Sequence, residues 1–78
     1  MAAESEVSRA MLDFALRWSP YGGGRDEDIL IEFGLTSPVF FERVLAMLAT
    51  QPNALEPRRL RLIESVALER LGRLPRSK

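Results

Sequence analysis

Two short helical segments separated by three residues constrain the fold of this chain more than any other feature. Residues 26–48 read DEDILIEFGLTSPVFFERVLAML. Gly34 is expected to end the first segment, because glycine enters the left-handed conformation without a Cβ penalty. Thr36 and Ser37 are expected to cap the second helix with their side-chain oxygens, and Pro38 suits its first turn. Helices joined so tightly must cross steeply, so the pattern predicts a helix-turn-helix.

Apolar residues recur at helical spacing in four segments, and no segment alternates as a strand does. We expect helices over residues 5–18, 26–33, 38–50 and 58–71. Their inward-facing residues are expected to be Val7, Met11, Phe14, Ala15 and Trp18; Ile29, Leu30 and Phe33; Phe40, Val44, Met47 and Leu48; and Leu60, Ile63, Ala67 and Leu71. Trp18, Phe33 and Phe40 should be buried together. The predicted fold is all-α, a compact four-helix bundle containing a helix-turn-helix, in one domain over residues 1–78 with 1–4 and 75–78 flexible.

The composition excludes several classes of chemistry. The chain has no cysteine and no histidine, which removes disulfides, the usual zinc ligands and His-based acid–base catalysis. No side-chain pattern suggests an activated nucleophile, so we expect no enzyme, no cofactor, no metal and no small-molecule substrate. No signal-peptide pattern opens the sequence and no stretch is long enough to span a bilayer, which predicts a cytoplasmic protein without a membrane partner.

The net charge of zero conceals an uneven distribution along the chain. Residues 1–34 carry seven acids against three bases, whereas residues 35–78 carry four acids against eight bases. Such a dipolar chain can steer its basic half toward phosphate. Its summed field is nevertheless weaker than that of an ordinary basic DNA-binding protein.

Two features at the start of the second helix resemble ligand sites, but their spacing favours structural roles. Residues 22–25, GGGR, lack the Gly-Lys-Ser/Thr ending and the preceding strand of a phosphate loop, so a flexible connector is preferred. Four acids follow at Asp26, Glu27, Asp28 and Glu32. They lack the alternating loop spacing of calcium ligands, and compensation of the helix dipole explains them better.

The turn and the amino-terminal half of the third predicted helix are where a helix-turn-helix meets the major groove. The candidate DNA-binding residues there are Thr36, Ser37, Val39, Glu42 and Arg43. Arg43 is suited to guanine, Val39 to a thymine methyl group and Glu42 to the amino group of cytosine. Alternatively, the same residues form a solvated or partner-facing edge of the bundle.

Arginines at both ends of the fourth predicted helix are the remaining cationic candidates. Arg58, Arg59 and Arg61 lie near its amino terminus, where positive charge is unfavourable. Contact with DNA phosphates and simple solvation are both consistent with that placement. Four bases follow at the other end, and a solvated helix end and tail is expected for Arg70, Arg73, Arg76 and Lys78.

The adjacent aromatic residues Phe40 and Phe41 leave an alternative function open. Neighbouring helical positions diverge by about 100°, so both rings cannot point squarely into one small core. Phe41 and Leu45 either widen the core contact or form an exposed apolar ridge with Val39. The ridge would make the chain a protein–protein interaction module that does not bind DNA sequence-specifically.

Several motifs resemble those of a family of small uncharacterised actinobacterial proteins, a domain of unknown function with a sigma-factor-like helix-turn-helix. They are ALRW at 15–18, YGG at 21–23, IEFGLT at 31–36, the pair Phe40 and Phe41, and QPNAL at 51–55. The resemblance covers roughly residues 12–74. The chain differs from the family at Val39, where members tend to carry arginine, and at the aromatic pair, where tyrosines are common.

The resemblance implies an actinobacterial cytoplasmic protein with a DNA-binding or transcription-linked role. The expected partners are therefore DNA or the transcription machinery. A monomer of this size binds DNA weakly, so a homodimer or a larger protein partner is expected for specific use.

Overall fold

The computed structural model describes the backbone of residues 2–51, 53 and 55–72, and the side chains of these residues from Glu6 onward. In this part of the chain there are four α-helices and no strand. The helices are α1 (Ala2–Trp18), α2 (Asp26–Phe33), α3 (Ser37–Thr50) and α4 (Pro57–Arg70), and a 3-10 turn (Ser19–Tyr21) follows α1. The predicted all-α class and its four helices are confirmed. The predicted loose tail at residues 75–78 lies outside the described residues.

The helix boundaries follow the local signals closely. α2 has the predicted bounds, and α3 and α4 each begin one residue earlier than predicted. α1 begins at Ala2, three residues earlier than predicted, in a stretch of good helix formers. Gly34 ends α2 as predicted: its φ is +68°, and its N–H donates to the Leu30 carbonyl at 2.8 Å.

The predicted capping of α3 by hydroxyl side chains is wrong. Thr36 occupies the N-cap position in an extended conformation, but its side chain makes no capping hydrogen bond. Ser37 is the first residue of the helix, and its hydroxyl bonds to another helix instead. Pro38 lies in the first turn as predicted.

Helix α3 is the central element of the bundle, because it packs against α1, α2 and α4. It contributes four of the buried apolar residues, Phe40, Phe41, Val44 and Leu48. The buried apolar residues are Met11, Phe14, Ala15, Ile29, Phe40, Phe41, Val44, Leu48, Ile63 and Ala67. One side of α3 is therefore buried in the core from Phe40 to Leu48.

An aromatic cluster occupies the junction of α1, α2 and α3. The Phe14 ring lies 5.4 Å from Phe33, 5.6 Å from Phe40 and 6.1 Å from Trp18 between centroids. Phe33 and Phe40 are 5.2 Å apart. The predicted grouping of Trp18, Phe33 and Phe40 is thus organised around Phe14, and Trp18 and Phe33 are half-buried.

Two residues predicted to face inward are exposed. Val7 lies one turn before Met11, which is the first buried residue among the α1 side chains that the structure describes, so Val7 precedes the contact of these residues with the core. Leu30 is 52% exposed because the buried stripe of α2 is narrow, with Ile29 and Phe33 one turn apart on it. Their neighbour Ile31 is 81% exposed.

Candidate functional site

Arg70, at the end of α4, joins the start of α2, the start of α3 and the preceding glycine turn. Its Nη1 donates to the carbonyl oxygens of Gly22 and Gly24 at 2.9 and 2.5 Å. Its Nη2 donates to Asp26 Oδ1 at 2.7 Å and to Ser37 Oγ at 3.4 Å. We call these five residues the Arg70 network. The predicted solvated role of Arg70 is wrong, because its side chain is only 23% exposed.

The guanidinium of Arg70 also packs on an aromatic ring. Its Cζ lies 4.9 Å from the centroid of the Phe41 ring, within the range of a cation–π contact. Phe41 is completely buried. Arginine suits this position because a planar guanidinium stacks on an aromatic face while its edge donates several hydrogen bonds.

The three consecutive glycines form a turn that connects the 3-10 turn after α1 to α2, so an inter-helix connector lies where it is predicted. Gly22, Gly23 and Gly24 have φ values of +90°, +99° and +101°, in a region that other residues rarely adopt. A Cβ on Gly23 would lie 2.7 Å from Val66 and 2.9 Å from the Phe41 ring. The carbonyls of this turn face a cation, which is the opposite of a phosphate-binding arrangement.

The carboxylate of Asp26 is bonded to two groups from distant parts of the chain. It accepts hydrogen bonds from the Ser37 hydroxyl and from Arg70. The Ser37 bond lowers the pKa of Asp26 below its ordinary value of 3.8; Arg70 acts in the same direction, and partial desolvation opposes both. Asp26 therefore does more than compensate the dipole of α2: its charged form links α2 to α3 and α4.

The candidate DNA-binding residues of α3 and the preceding turn separate into two groups. Thr36, Val39, Glu42 and Arg43 are exposed. Ser37 is buried in the Arg70 network, so its predicted role as a DNA contact is wrong. Buried residues recur every three to four positions here, as in a helix with one side in the core, and Phe40, Phe41 and Val44 lie on that buried side.

The three arginines at the start of α4 are all exposed. Arg59 Nε lies 3.9 Å from Glu56 Oε1, in an ion pair whose side chains are 64% and 60% exposed. Such exposed pairs contribute little to stability. Arg58, Arg59 and Arg61 thus remain accessible to an anionic partner.

The predicted apolar ridge of Val39, Phe41 and Leu45 is not present. Its central residue, Phe41, has no exposed surface, and Leu45 is half-buried against the core. The reason is that α3 is the central helix: α4 covers a direction that would face solvent on a peripheral helix. Val39 alone of the three is exposed.

The position of Arg70 in the sequence was a signal for the Arg70 network, and an assignment of inward-facing positions to apolar residues alone overlooks it. Arg70 follows the buried residues Ile63 and Ala67 by seven and three positions, so it continues the inward-facing stripe of α4. A cation on an inward stripe needs a partner. The identity of that partner, 44 positions earlier, has no local signature.

Among the described residues, no group of three or more Asp or Glu side chains is placed to hold a metal ion. None of the helices described here has the length and apolar character needed to cross a membrane.

Fold and site together define a small all-helical protein whose central helix buries one side in the core and exposes Val39, Glu42 and Arg43 on the other. The chain belongs to the family described as "Protein of unknown function (DUF3263)", which matches residues 4–74. This confirms the resemblance to an uncharacterised family. Searches of curated proteins and of solved structures found no match to this chain.

Proposed function

We propose that the chain is a small helix-turn-helix protein that binds DNA and acts in transcription, with α3 as its recognition helix. The observation that carries the proposal is the division of α3 into two sides. Phe40, Phe41 and Val44 hold one side in the core, while Val39 and Arg43 are exposed on the other. A helix held rigidly with an open amino-terminal half is what major-groove readout requires.

The exposed residues have distinct proposed roles. Arg43 donates to guanine, Val39 contacts a thymine methyl group and Glu42 accepts from cytosine. Thr36 contacts a phosphate or a base edge, because its hydroxyl makes no capping bond. Arg58, Arg59 and Arg61 neutralise backbone phosphates, which would offset their unfavourable position at a helix amino terminus.

The Arg70 network supports this proposal because it fixes the position of the start of α3 relative to α2 and α4. It ties the first turns of α2 and α3 to the end of α4 through Asp26 and Ser37. The network thereby holds Ser37, which directly follows the three-residue turn, against the far end of α2 and the end of α4. Ser37 thus becomes a positioning residue in the proposed mechanism, in place of a DNA contact.

An actinobacterial origin, a sigma-factor-like helix-turn-helix and a cytoplasmic location remain part of the proposal, as does the transcription machinery as a partner. The interaction-module alternative loses support in its original form, since Phe41 is buried. The net charge of zero points to weak binding by a monomer.

The proposal is tested by fluorescence anisotropy with a randomised duplex pool at several salt concentrations. Neutralisation of four phosphates by Arg43, Arg58, Arg59 and Arg61 predicts a log–log salt slope of about −3 to −4. Arg43→Ala should lose about 1–3 kcal/mol of base discrimination, whereas Arg17→Ala, on the exposed side of α1, should change nothing. Absence of binding at low salt, or binding that ignores salt, would reject the proposal.

A further inference from the structure

Helix α2 carries an exposed face that is both acidic and apolar. Leu30 and Ile31 are 52% and 81% exposed, and Glu27, at i−3 and i−4 from them, is exposed on the same side. We call Glu27, Leu30 and Ile31 the acidic–apolar face. Asp28 and Glu32 flank it, and residues 26–33 contain no base. This face thus places two aliphatic side chains in solvent next to three carboxylates.

Helix α4 carries a face with the same residue spacing and the opposite charge. Arg58, Arg61 and Leu62 follow the same i, i+3, i+4 spacing and are all exposed, Leu62 by 45%. We call them the basic–apolar face. Residues 57–63 contain three arginines and no acid.

From this complementarity we infer that the acidic–apolar face of one chain binds the basic–apolar face of a second copy. The contact places Leu30 and Ile31 against Leu62, and Glu27 and its flanking acids against Arg58 and Arg61. Ridges at i, i+3 and i+4 spacing on both helices are suited to helix–helix packing. The inference goes beyond the proposed function and does not depend on DNA binding.

Charge accounts for the choice of a second copy as the occupant. Arginines at the start of α4 oppose the dipole of their own helix, and acids from another chain would offset that cost. The ion pairs next to these faces are exposed and long: Glu27 pairs with Arg25 at 3.5 Å, and Arg59, which lies beside Arg58 but outside the basic–apolar face, pairs with Glu56 at 3.9 Å. Rim charges of this type fix register and orientation, while the apolar residues supply contact area.

The contact joins two different faces. In a closed symmetric pair each chain uses both faces and the interface is isologous; in an open chain of copies each interface uses one face of each chain and is heterologous. It draws on Arg58 and Arg61, so DNA and a second copy compete for these residues. The test is therefore carried out without DNA.

Analytical ultracentrifugation of the full chain over a range of concentrations tests the inference. The average mass should rise with concentration from that of the 8.8 kDa monomer toward a dimer or beyond, and added salt should reduce it. A monomer mass at every concentration, at low salt, would overturn it.

Charge reversal identifies the faces. Glu27→Arg with Glu32→Arg, and separately Arg58→Glu with Arg61→Glu, should each weaken self-association about tenfold or more. Mixing the two double variants should restore association, because the reversed α2 of one meets the reversed α4 of the other. Ile31→Ser should weaken association without changing its salt dependence.

Matched controls separate these faces from charge in general. Arg9→Glu with Arg17→Glu places the charge change of the Arg58 and Arg61 variant on exposed positions of α1 and should leave association unchanged. Circular dichroism establishes that each variant remains helical. If the mixture fails to associate, or if the α1 control weakens association equally, the proposed pairing is wrong. The Glu27 and Glu32 variant leaves every proposed DNA contact intact, so failure here is distinguishable from failure of DNA binding.

Discussion

Nη2 of Arg70 lies 2.7 Å from Oδ1 of Asp26, which joins the last turn of α4 to the first turn of α2 across 44 positions of sequence. The same guanidinium holds the carbonyls of the glycine turn and packs on the Phe41 ring. One side chain thus connects segments that the backbone leaves far apart. Four predictions about stability follow from this junction and from the aromatic cluster.

Arg70→Ala should lower the free energy of unfolding by about 1–3 kcal/mol, since it removes donors from partly buried carbonyls and packing from Phe41. Arg70→Lys should fall between the alanine variant and the parent, because an ammonium keeps the charge but cannot reproduce the planar fork. Urea denaturation measures both. Arg9→Ala, at an exposed position of α1, is the control. An Arg70→Ala variant as stable as this control would show that the network contributes nothing.

The Asp26 carboxylate predicts a specific dependence of stability on pH. Its folded-state pKa lies below the ordinary 3.8, so its contribution is fully present above 3.8 and is lost as the pH falls through the lowered value. Asp26→Asn should therefore be less stable than the parent at neutral pH, and the difference should shrink in acid. Urea denaturation at a series of pH values measures it. A difference that stays constant through the acid range would contradict the assigned cause.

The glycine turn predicts a graded response to alanine. Gly22→Ala should cost about 1–2 kcal/mol through its positive φ alone, because nothing lies within 4 Å of the added Cβ. Gly24→Ala should cost more, since its Cβ would lie 2.6 Å from the Phe14 ring. Gly23→Ala should resemble Gly24→Ala. Equal losses at all three positions, measured by thermal unfolding, would show that the close contacts do not matter.

The aromatic cluster predicts that Phe14 is a larger determinant of stability than Trp18. Phe14 is buried and contacts three other rings, so Phe14→Ala should cost about 3–5 kcal/mol. Trp18→Ala should cost less, because Trp18 is half-buried at the edge of the cluster. Chemical denaturation ranks the two variants. A larger loss of unfolding free energy for Trp18→Ala than for Phe14→Ala would contradict the central position assigned to Phe14.

Local chemistry determined the helices of this protein. Gly34 ends α2 because glycine permits a positive φ, and Pro38 lies in the first turn of α3 because proline fixes φ near the helical value; neither effect depends on the tertiary context. Apolar spacing likewise identified most of the core, including Met11 and Ile63. These predictions depend on residues within one or two turns of one another, which is why the sequence suffices for them.

Tertiary packing decided which side chains are available for function. The hydroxyl of Ser37 and the ring of Phe41 have the same local sequence context as exposed residues of α3, yet both are buried by groups from α2 and α4. Arg70 was expected in solvent and instead bonds to Gly22, Gly24 and Asp26. Helical periodicity identifies which residues share a side of a helix. It carries no information on how many neighbouring helices cover that side, because packing depends on contacts between residues far apart in the chain.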